Sequence, residues 1–160
     1  MPSTSWTVPA RARDVSQIRH LVVDFAYANG VAEPRLSDVR LAVSEALTNA
    51  VVHAFRGLGE SGTVSVAVAV REHEWIDVRV TDDGSGMAPR DDSPGLGLGL
   101  PLIRHLADQF DHRTPPDGVG TELWMRFTLT DPRPERRRGG LRPSAPSDSS
   151  ATRPRPSQTK

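Results

Sequence analysis

A carboxylate and a carboxamide stand four residues apart in the segment Glu45-Ala46-Leu47-Thr48-Asn49. In a helix this spacing places both side chains on one edge, a single turn apart. A carboxamide oxygen is a ligand for Mg²⁺, and a carboxylate can take the proton from an attacking hydroxyl or water. An amphipathic helix with a solvated polar edge has the same spacing, and this segment alone favours that simpler interpretation.

A second motif, Asp82-Asp83-Gly84-Ser85-Gly86-Met87, directly follows an alternating valine pattern. Gly84 and Gly86 permit a tight turn with backbone close to a ligand. A carboxylate at the strand end, Asp82, can accept a hydrogen bond from an exocyclic amine such as adenine N6. An ordinary Asp-Gly turn also explains the spacing. Met87 weakens that explanation, because it is an apolar residue just past the turn that can pack against a purine ring.

A third motif has three alternating glycines, Gly95, Gly97 and Gly99, before a helical pattern. Such glycines expose successive N–H groups at the positive end of a helix dipole, where phosphate oxygens bind. The motif is not a P-loop, because no lysine follows it, and no strand precedes it as a dinucleotide fingerprint requires. Since Lys160 is the only lysine of the chain, backbone amides, Mg²⁺ and Arg104 would have to meet the phosphate charge.

A smaller signal is the segment Gly118-Val119-Gly120-Thr121 at the start of a strand pattern. The hydroxyl of Thr121 could reach a base or a bridging water. A plain turn over residues 115–118 that closes a hairpin is at least as good an explanation. The five histidines lack a metal-ligand spacing.

Three helices are predicted, and the first and third of them precede and follow the central helix along the chain. Asp14 and Gln17 resemble a capping box, and apolar residues then recur at helical spacing until Asn29-Gly30 supplies a stop. A later helix follows the glycines, with Pro101 in its first turn, and continues through Phe110.

The central helix runs from about 37 to 55 and carries the carboxylate and the carboxamide beside its apolar stripe. Strands are predicted at 5–8, at 64–70 and 76–81 as a hairpin, and at 122–129. Helices and strands occur in groups rather than in strict alternation. This order predicts an α+β fold, a two-layer sandwich whose mostly antiparallel sheet is covered by helices on one face.

The composition excludes several classes of protein. The 160 residues contain no cysteine, which removes disulfide scaffolds, thiolate metal sites and cysteine nucleophiles and favours a reducing compartment, the cytoplasm. No apolar stretch approaches the roughly 20 residues of a membrane helix, and the first residues lack a signal-peptide layout. We therefore expect neither secretion nor membrane contact.

The charge distribution divides the chain in two. Residues 131–160 hold 8 basic and 3 acidic side chains, whereas residues 1–130 hold 12 basic and 17 acidic ones. An acidic body argues against nucleic acid as a direct partner. Because the stretch 131–160 is rich in Pro, Ser and Arg and nearly free of apolar residues, it is predicted to be a disordered tail that follows a globular domain, 1–130.

Taken in order, the four motifs resemble the N, G1, G2 and terminal Gly-Thr boxes of the GHKL ATPase superfamily, which has the Bergerat fold. The resemblance covers about residues 8–130 and implies a histidine-kinase-like ATPase domain with a mixed, mostly antiparallel sheet. Within this superfamily the segment 43–54 is similar to the small stand-alone anti-sigma-factor kinases of bacteria, the RsbW and SpoIIAB type. Four ordered boxes are far more specific than any one of them.

The resemblance also implies site residues and cofactors, namely ATP and Mg²⁺. Asp82 would hold adenine, Asn49 would hold Mg²⁺ against the phosphates, and Glu45 would be the base that activates the attacking hydroxyl. The base pocket would be shaped by Gly84, Gly86 and Met87, and Thr121 would assist at the base. Phosphate would be cradled under a lid of residues 87–96 by Gly95, Gly97 and Gly99.

The implied function is that of an ATP-binding anti-sigma factor with protein serine/threonine kinase activity. Such proteins bind a sigma factor and phosphorylate a small anti-anti-sigma protein of the STAS-like kind, which regulates transcription, and they tend to be homodimers. One alternative is an ATP-dependent partner-binding switch without significant phosphotransfer. Another, a detached ATPase module of a sensor histidine kinase, is disfavoured because the chain shows no dimerisation helix pair.

Overall fold

The computed structural model describes residues 1–54, 62–84, 99–115 and 118–130. The expected tail, 131–160, and the expected lid, 87–96, lie outside the described residues. The described strands and helices are β1 (Ser3–Pro9), α1 (Ala12–Ala28), α2 (Arg35–Asn49) with a π-helical turn after it (Ala50–Ala54), β2 (Thr63–Arg71), β3 (Trp75–Asp82), α3 (Gly99–Leu106), β4 (Gln109–Arg113) and β5 (Thr121–Thr128).

The five strands form one sheet in the order β1-β2-β3-β5-β4, and every neighbouring pair is antiparallel. Alternate residues of each central strand are buried, as the period-2 pattern of β2 and β3 predicts. These buried side chains face the helices, so the α+β architecture with helices on one face is confirmed. None of the described helices is long and apolar enough to cross a membrane.

The core lies between the sheet and the helices. Ile18 and Val22 of α1 and Val43 and Leu47 of α2 are fully buried, because apolar residues at helical spacing turn one stripe toward the sheet. The strands contribute the other half of the core, which includes Val64, Val66, Val68, Val70, Ile76, Val78, Leu123, Met125 and Phe127.

Arg35 fixes the start of α2 to the sheet. Its Nε donates to the Thr128 carbonyl at 3.0 Å, and its Nη2 donates to both carboxylate oxygens of Asp108 at 3.0 and 2.9 Å. Asp108 in turn accepts the Thr128 N–H at 2.7 Å. This network sets where α2 lies on the sheet, and therefore where the polar residues near its other end are placed.

Two sequence predictions about the helices were wrong. The first helix begins at Ala12 and has no side-chain cap, so Asp14 lies inside the first turn, where its charge complements the helix dipole rather than capping the chain. The third helix ends at Leu106, and Phe110 lies in β4. The spacing of apolar residues up to Phe110 fits a helix. Residues 109–113 instead form a short edge strand, because they pair with β5.

Candidate functional site

The polar edge of α2 meets the start of α3 at Gly99. A β-carbon built on Gly99 would lie 3.1 Å from Asn49 Nδ2, 3.2 Å from Asn49 Oδ1 and 3.3 Å from Glu45 Oε2. Glu45 and Asn49 are both half-buried. Glu45, Asn49 and Gly99 therefore lie together, although Asn49 and Gly99 are 50 residues apart in the chain. Because Gly99 has no side chain, there is room for both polar groups.

Asp82 closes β3 and is buried, with 5% of its surface exposed. Its Oδ1 accepts the N–H of Gly84 at 3.0 Å. Its register partner across the sheet is Thr121, the first residue of β5, which is also buried. Asp82, Gly84 and Thr121, all expected at the site, are thus brought together at one end of the sheet.

Burial raises the pKa of the Asp82 carboxyl above its ordinary value, and the charge of Asp83 raises it further. Hydrogen bonds from the backbone of Gly84 and Thr121 and the charge of His112 act in the opposite direction and lower this pKa. Carboxyl groups whose pKa is raised by burial occur often at functional sites.

Gly120 allows β5 to begin directly against the end of β3. Its φ is +81°, a conformation that residues with side chains rarely adopt, and a β-carbon there would overlap the Asp82 carbonyl oxygen and lie 2.7 Å from the carbonyl carbon. The close approach keeps Thr121 beside Asp82. The Gly-Thr pair is therefore required by the geometry of the site and not only by a turn.

We expect Gly120→Ala to lower the free energy of unfolding by about 2–4 kcal/mol, because a left-handed φ and a backbone clash act together. Gly118→Ala is a matched control, since Gly118 has a φ of +79° but nothing within 4 Å of its β-carbon position; it should cost only about 1 kcal/mol. Urea unfolding measures both. Equal losses in the two variants would contradict the close-approach argument.

The helix that carries Glu45 and Asn49 contacts β3, the strand that ends at Asp82. The π-helical turn Ala50–Ala54, which continues α2 beyond Asn49, packs against β3, the strand that Asp82 closes. Arg104, considered above for phosphate, places its guanidinium 5.2 Å from the centre of the Phe110 ring. Four expected site residues, Gly86, Met87, Gly95 and Gly97, lie outside the described residues.

His112 is a neighbour of Asp82 that the sequence did not reveal. It lies on β4, where it pairs with Leu123 of β5, and its charge acts on the Asp82 carboxyl. The sequence could have placed His112 near Asp82 only if β4 had been predicted as a strand paired with β5. The apolar spacing in this region indicates a helix instead.

Comparison with known proteins shows which family the chain belongs to. A family model described as the histidine kinase-like ATPase domain matches residues 8–127. Serine-protein kinase RsbW of Bacillus licheniformis is 33% identical over 123 residues, which are 77% of this chain and 71% of that protein. An anti-sigma F factor of Clostridium acetobutylicum is 28% identical over 128 residues, 73% of this chain and 87% of that protein.

A solved structure shares the fold. The RsbU and RsbW domains of a Mycobacterium tuberculosis protein match with a TM-score of 0.63 at 20% identity. The match covers 81% of this chain and 33% of that one. The family match and the RsbW relatives together establish that the chain belongs to the histidine kinase-like ATPase domain family and, within it, to the RsbW group of serine-protein kinases.

Proposed function

We propose that this protein is an anti-sigma factor with protein serine/threonine kinase activity that uses Mg²⁺ and ATP. The relatives are named serine-protein kinase and anti-sigma F factor, and membership of the RsbW group makes this chain a protein serine kinase. The observation that carries the proposal is the meeting of Glu45 and Asn49 with the start of α3 at Gly99. This arrangement brings together a carboxylate and a carboxamide, groups that can act as a general base and as an oxygen ligand for Mg²⁺.

Asp82 is proposed to recognise the adenine base. The backbone N–H groups of Gly84 and Thr121 use two acceptor positions of the Asp82 carboxylate. Since a carboxylate has about four such positions, acceptor capacity remains for an exocyclic amine. A hydrogen bond to a charged acceptor that is shielded from water is stronger than an exposed one. Thr121, Gly84, Gly86 and Met87 are proposed to complete this base pocket.

Glu45 is proposed to act as the general base. Its carboxylate accepts the proton of the serine or threonine hydroxyl as the hydroxyl oxygen forms a bond to the γ-phosphorus and the bond between that phosphorus and the ADP oxygen breaks. Asn49 is proposed to hold Mg²⁺ through its side-chain oxygen, and Mg²⁺ neutralises charge on the phosphate oxygens when bound. Gly95, Gly97 and Gly99 are proposed to cradle these oxygens.

The proposed partners are a sigma factor and a small anti-anti-sigma protein of the STAS-like kind, which carries the acceptor hydroxyl. We also propose a cytoplasmic location, a homodimer, a disordered tail at 131–160, and no direct contact with nucleic acid or membrane. A partner-binding switch without phosphotransfer is not favoured, because the curated relatives are named serine-protein kinases.

Two measurements test the proposal. Calorimetry should detect ATP binding that is stronger with Mg²⁺ than with a chelator. Transfer of label from γ-labelled ATP to purified STAS-like proteins of the same bacterium should give phosphoserine or phosphothreonine on one of them. Binding of ATP without transfer to any of these proteins would support the switch instead, and phosphohistidine on a partner would support a histidine-kinase module.

Gly99→Ala should slow phosphotransfer about tenfold, because its methyl group would displace the side chains of Glu45 and Asn49 by a few tenths of an ångström. Stability should hardly change, since alanine suits the first turn of a helix. Gly30→Ala should show the reverse pattern: Gly30 has a φ of +86° and open space around it, so stability falls while transfer does not. Initial transfer rates and thermal melts measure the two effects, and an unaffected rate in Gly99→Ala would argue against the assembled site.

A further inference from the structure

Asp83, the neighbour of the proposed adenine acceptor, is held by the first residue of β2. Its Oδ1 accepts the Thr63 backbone N–H at 2.7 Å, and its Oδ2 accepts the Thr63 hydroxyl at 2.8 Å. The Asp83 N–H donates to the Thr63 carbonyl at 3.4 Å. Asp83 is exposed, yet both of its carboxylate oxygens are bound to one residue.

These bonds end the β2–β3 ladder. The last paired residues are Val64 and Asp82, so Thr63 and Asp83 would form the next pair. In a continued antiparallel ladder the Thr63 N–H would donate to the Asp83 backbone carbonyl. The Asp83 carboxylate accepts this N–H instead, so the regular pairing of the two strands stops at Val64 and Asp82.

Asp83 is the middle residue of the turn in which the Asp82 carboxylate accepts the Gly84 N–H at 3.0 Å. We propose that Asp83 is a positioning residue for nucleotide recognition: by binding both polar groups of Thr63, it ends the ladder and fixes the turn at which Gly84 meets Asp82. The two consecutive aspartates then have separate tasks, one facing the ligand and one setting the backbone. The inference rests on the proposed role of Asp82 at the base.

Charge gives a readout that a purely structural role of Asp83 would not change. Among the described residues, the charges that act on the Asp82 carboxyl are those of Asp83, which raises its pKa, and His112 on β4, which lowers it. Removal of the Asp83 charge therefore lowers the pKa of Asp82. The Asp82 carboxylate should then stay ionised to a lower pH than in the wild type.

The test measures the affinity of the full chain for MgADP by calorimetry between about pH 5 and 8. Asp83→Ala, which loses both bonds, should bind about tenfold more weakly, and Thr63→Val, which loses only the hydroxyl bond, about threefold more weakly. Asp83→Asn keeps an oxygen for the Thr63 N–H, so it should bind within about threefold of wild type at pH 7.5. Its affinity should decline on acidification at a lower pH than that of wild type.

Asp24→Asn is the matched control, because it removes one exposed aspartate charge on α1 and should leave both affinity and pH profile unchanged. Asp82→Asn shows how much pH dependence remains without the Asp82 carboxyl. Wild-type affinity in Asp83→Ala, or a wild-type pH profile in Asp83→Asn, would overturn the inference. Failure of the proposed nucleotide site looks different, since the wild type itself would then not bind MgADP. If Asp83→Ala does not fold, Thr63→Val and Asp83→Asn decide the question.

Discussion

Glu45→Gln should lower the rate of phosphotransfer by at least about 100-fold while the affinity for MgADP stays within about twofold of wild type. A general base typically contributes about 10²–10⁴ to a rate, and glutamine has nearly the same size but cannot take the proton. The half-buried position of Glu45 against Gly99 can accommodate this isosteric change. Single-turnover transfer from labelled ATP gives the rate, and calorimetry gives the affinity.

Glu72→Gln is the control for this substitution. Glu72 is an exposed residue of the turn between β2 and β3, where its carboxylate lies 3.3 Å from His73. The same chemical change there should leave the transfer rate unaltered. Transfer by Glu45→Gln at the wild-type rate would remove Glu45 from the chemistry, whereas equal losses of rate and affinity would indicate a ligand-binding role instead.

Asp82→Asn should weaken the binding of MgATP by about 10- to 100-fold. The substitution replaces a charged acceptor by a neutral amide, whose NH₂ group is a donor like the amine of the base and cannot accept its hydrogen bond. A hydrogen bond to a charged group is worth about 1.5–3 kcal/mol. Asp111→Asn is the matched control, because Asp111 is an exposed aspartate of β4. Calorimetry on both variants measures the difference, and tight binding by Asp82→Asn would exclude Asp82 as the base acceptor.

The same substitution should not destabilise the fold at neutral pH. Burial raises the pKa of Asp82 in the folded chain, so its contribution to stability is largest below the pKa of the unfolded chain and is lost as the pH rises through the folded value. Above that folded pKa the buried carboxylate is a cost, so Asp82→Asn should not lower the free energy of unfolding at pH 7. Urea unfolding at pH 7 measures this change. A marked loss of stability would mean that the carboxylate serves the fold rather than a ligand.

Acidification should weaken nucleotide binding by the wild-type chain for the same reason. As the pH falls through the raised pKa of Asp82, the acceptor becomes protonated and its hydrogen bond to an amine weakens. The decline should begin above the pH at which an exposed aspartate titrates, and Asp82→Asn should lack this component. Calorimetric titrations at several pH values, with the two proteins compared directly, measure it.

Local patterns were sufficient for most of the fold. The valines of β2 alternate along the chain, and the apolar stripe of α2 recurs at the helical period, so neighbouring residues alone specify these elements. The Glu45 and Asn49 spacing likewise predicts a shared edge, because a helix fixes which residues lie together. The fourth strand, Gln109–Arg113, was missed, since its five residues contain a single half-buried apolar side chain, Phe110, and only pairing with β5 makes it a strand.

The sequence by itself therefore determined the α+β class, the helix that carries Glu45 and Asn49, and the order of the four motifs. Tertiary structure decided that Gly99 lies against both of these side chains and that Gly120 lies against the backbone of Asp82. It also decided that Asp82 is buried, with a raised pKa, and that Thr63 binds Asp83. These contacts join segments distant in the chain, and they depend on how helices pack and strands pair, which no local period of the sequence records.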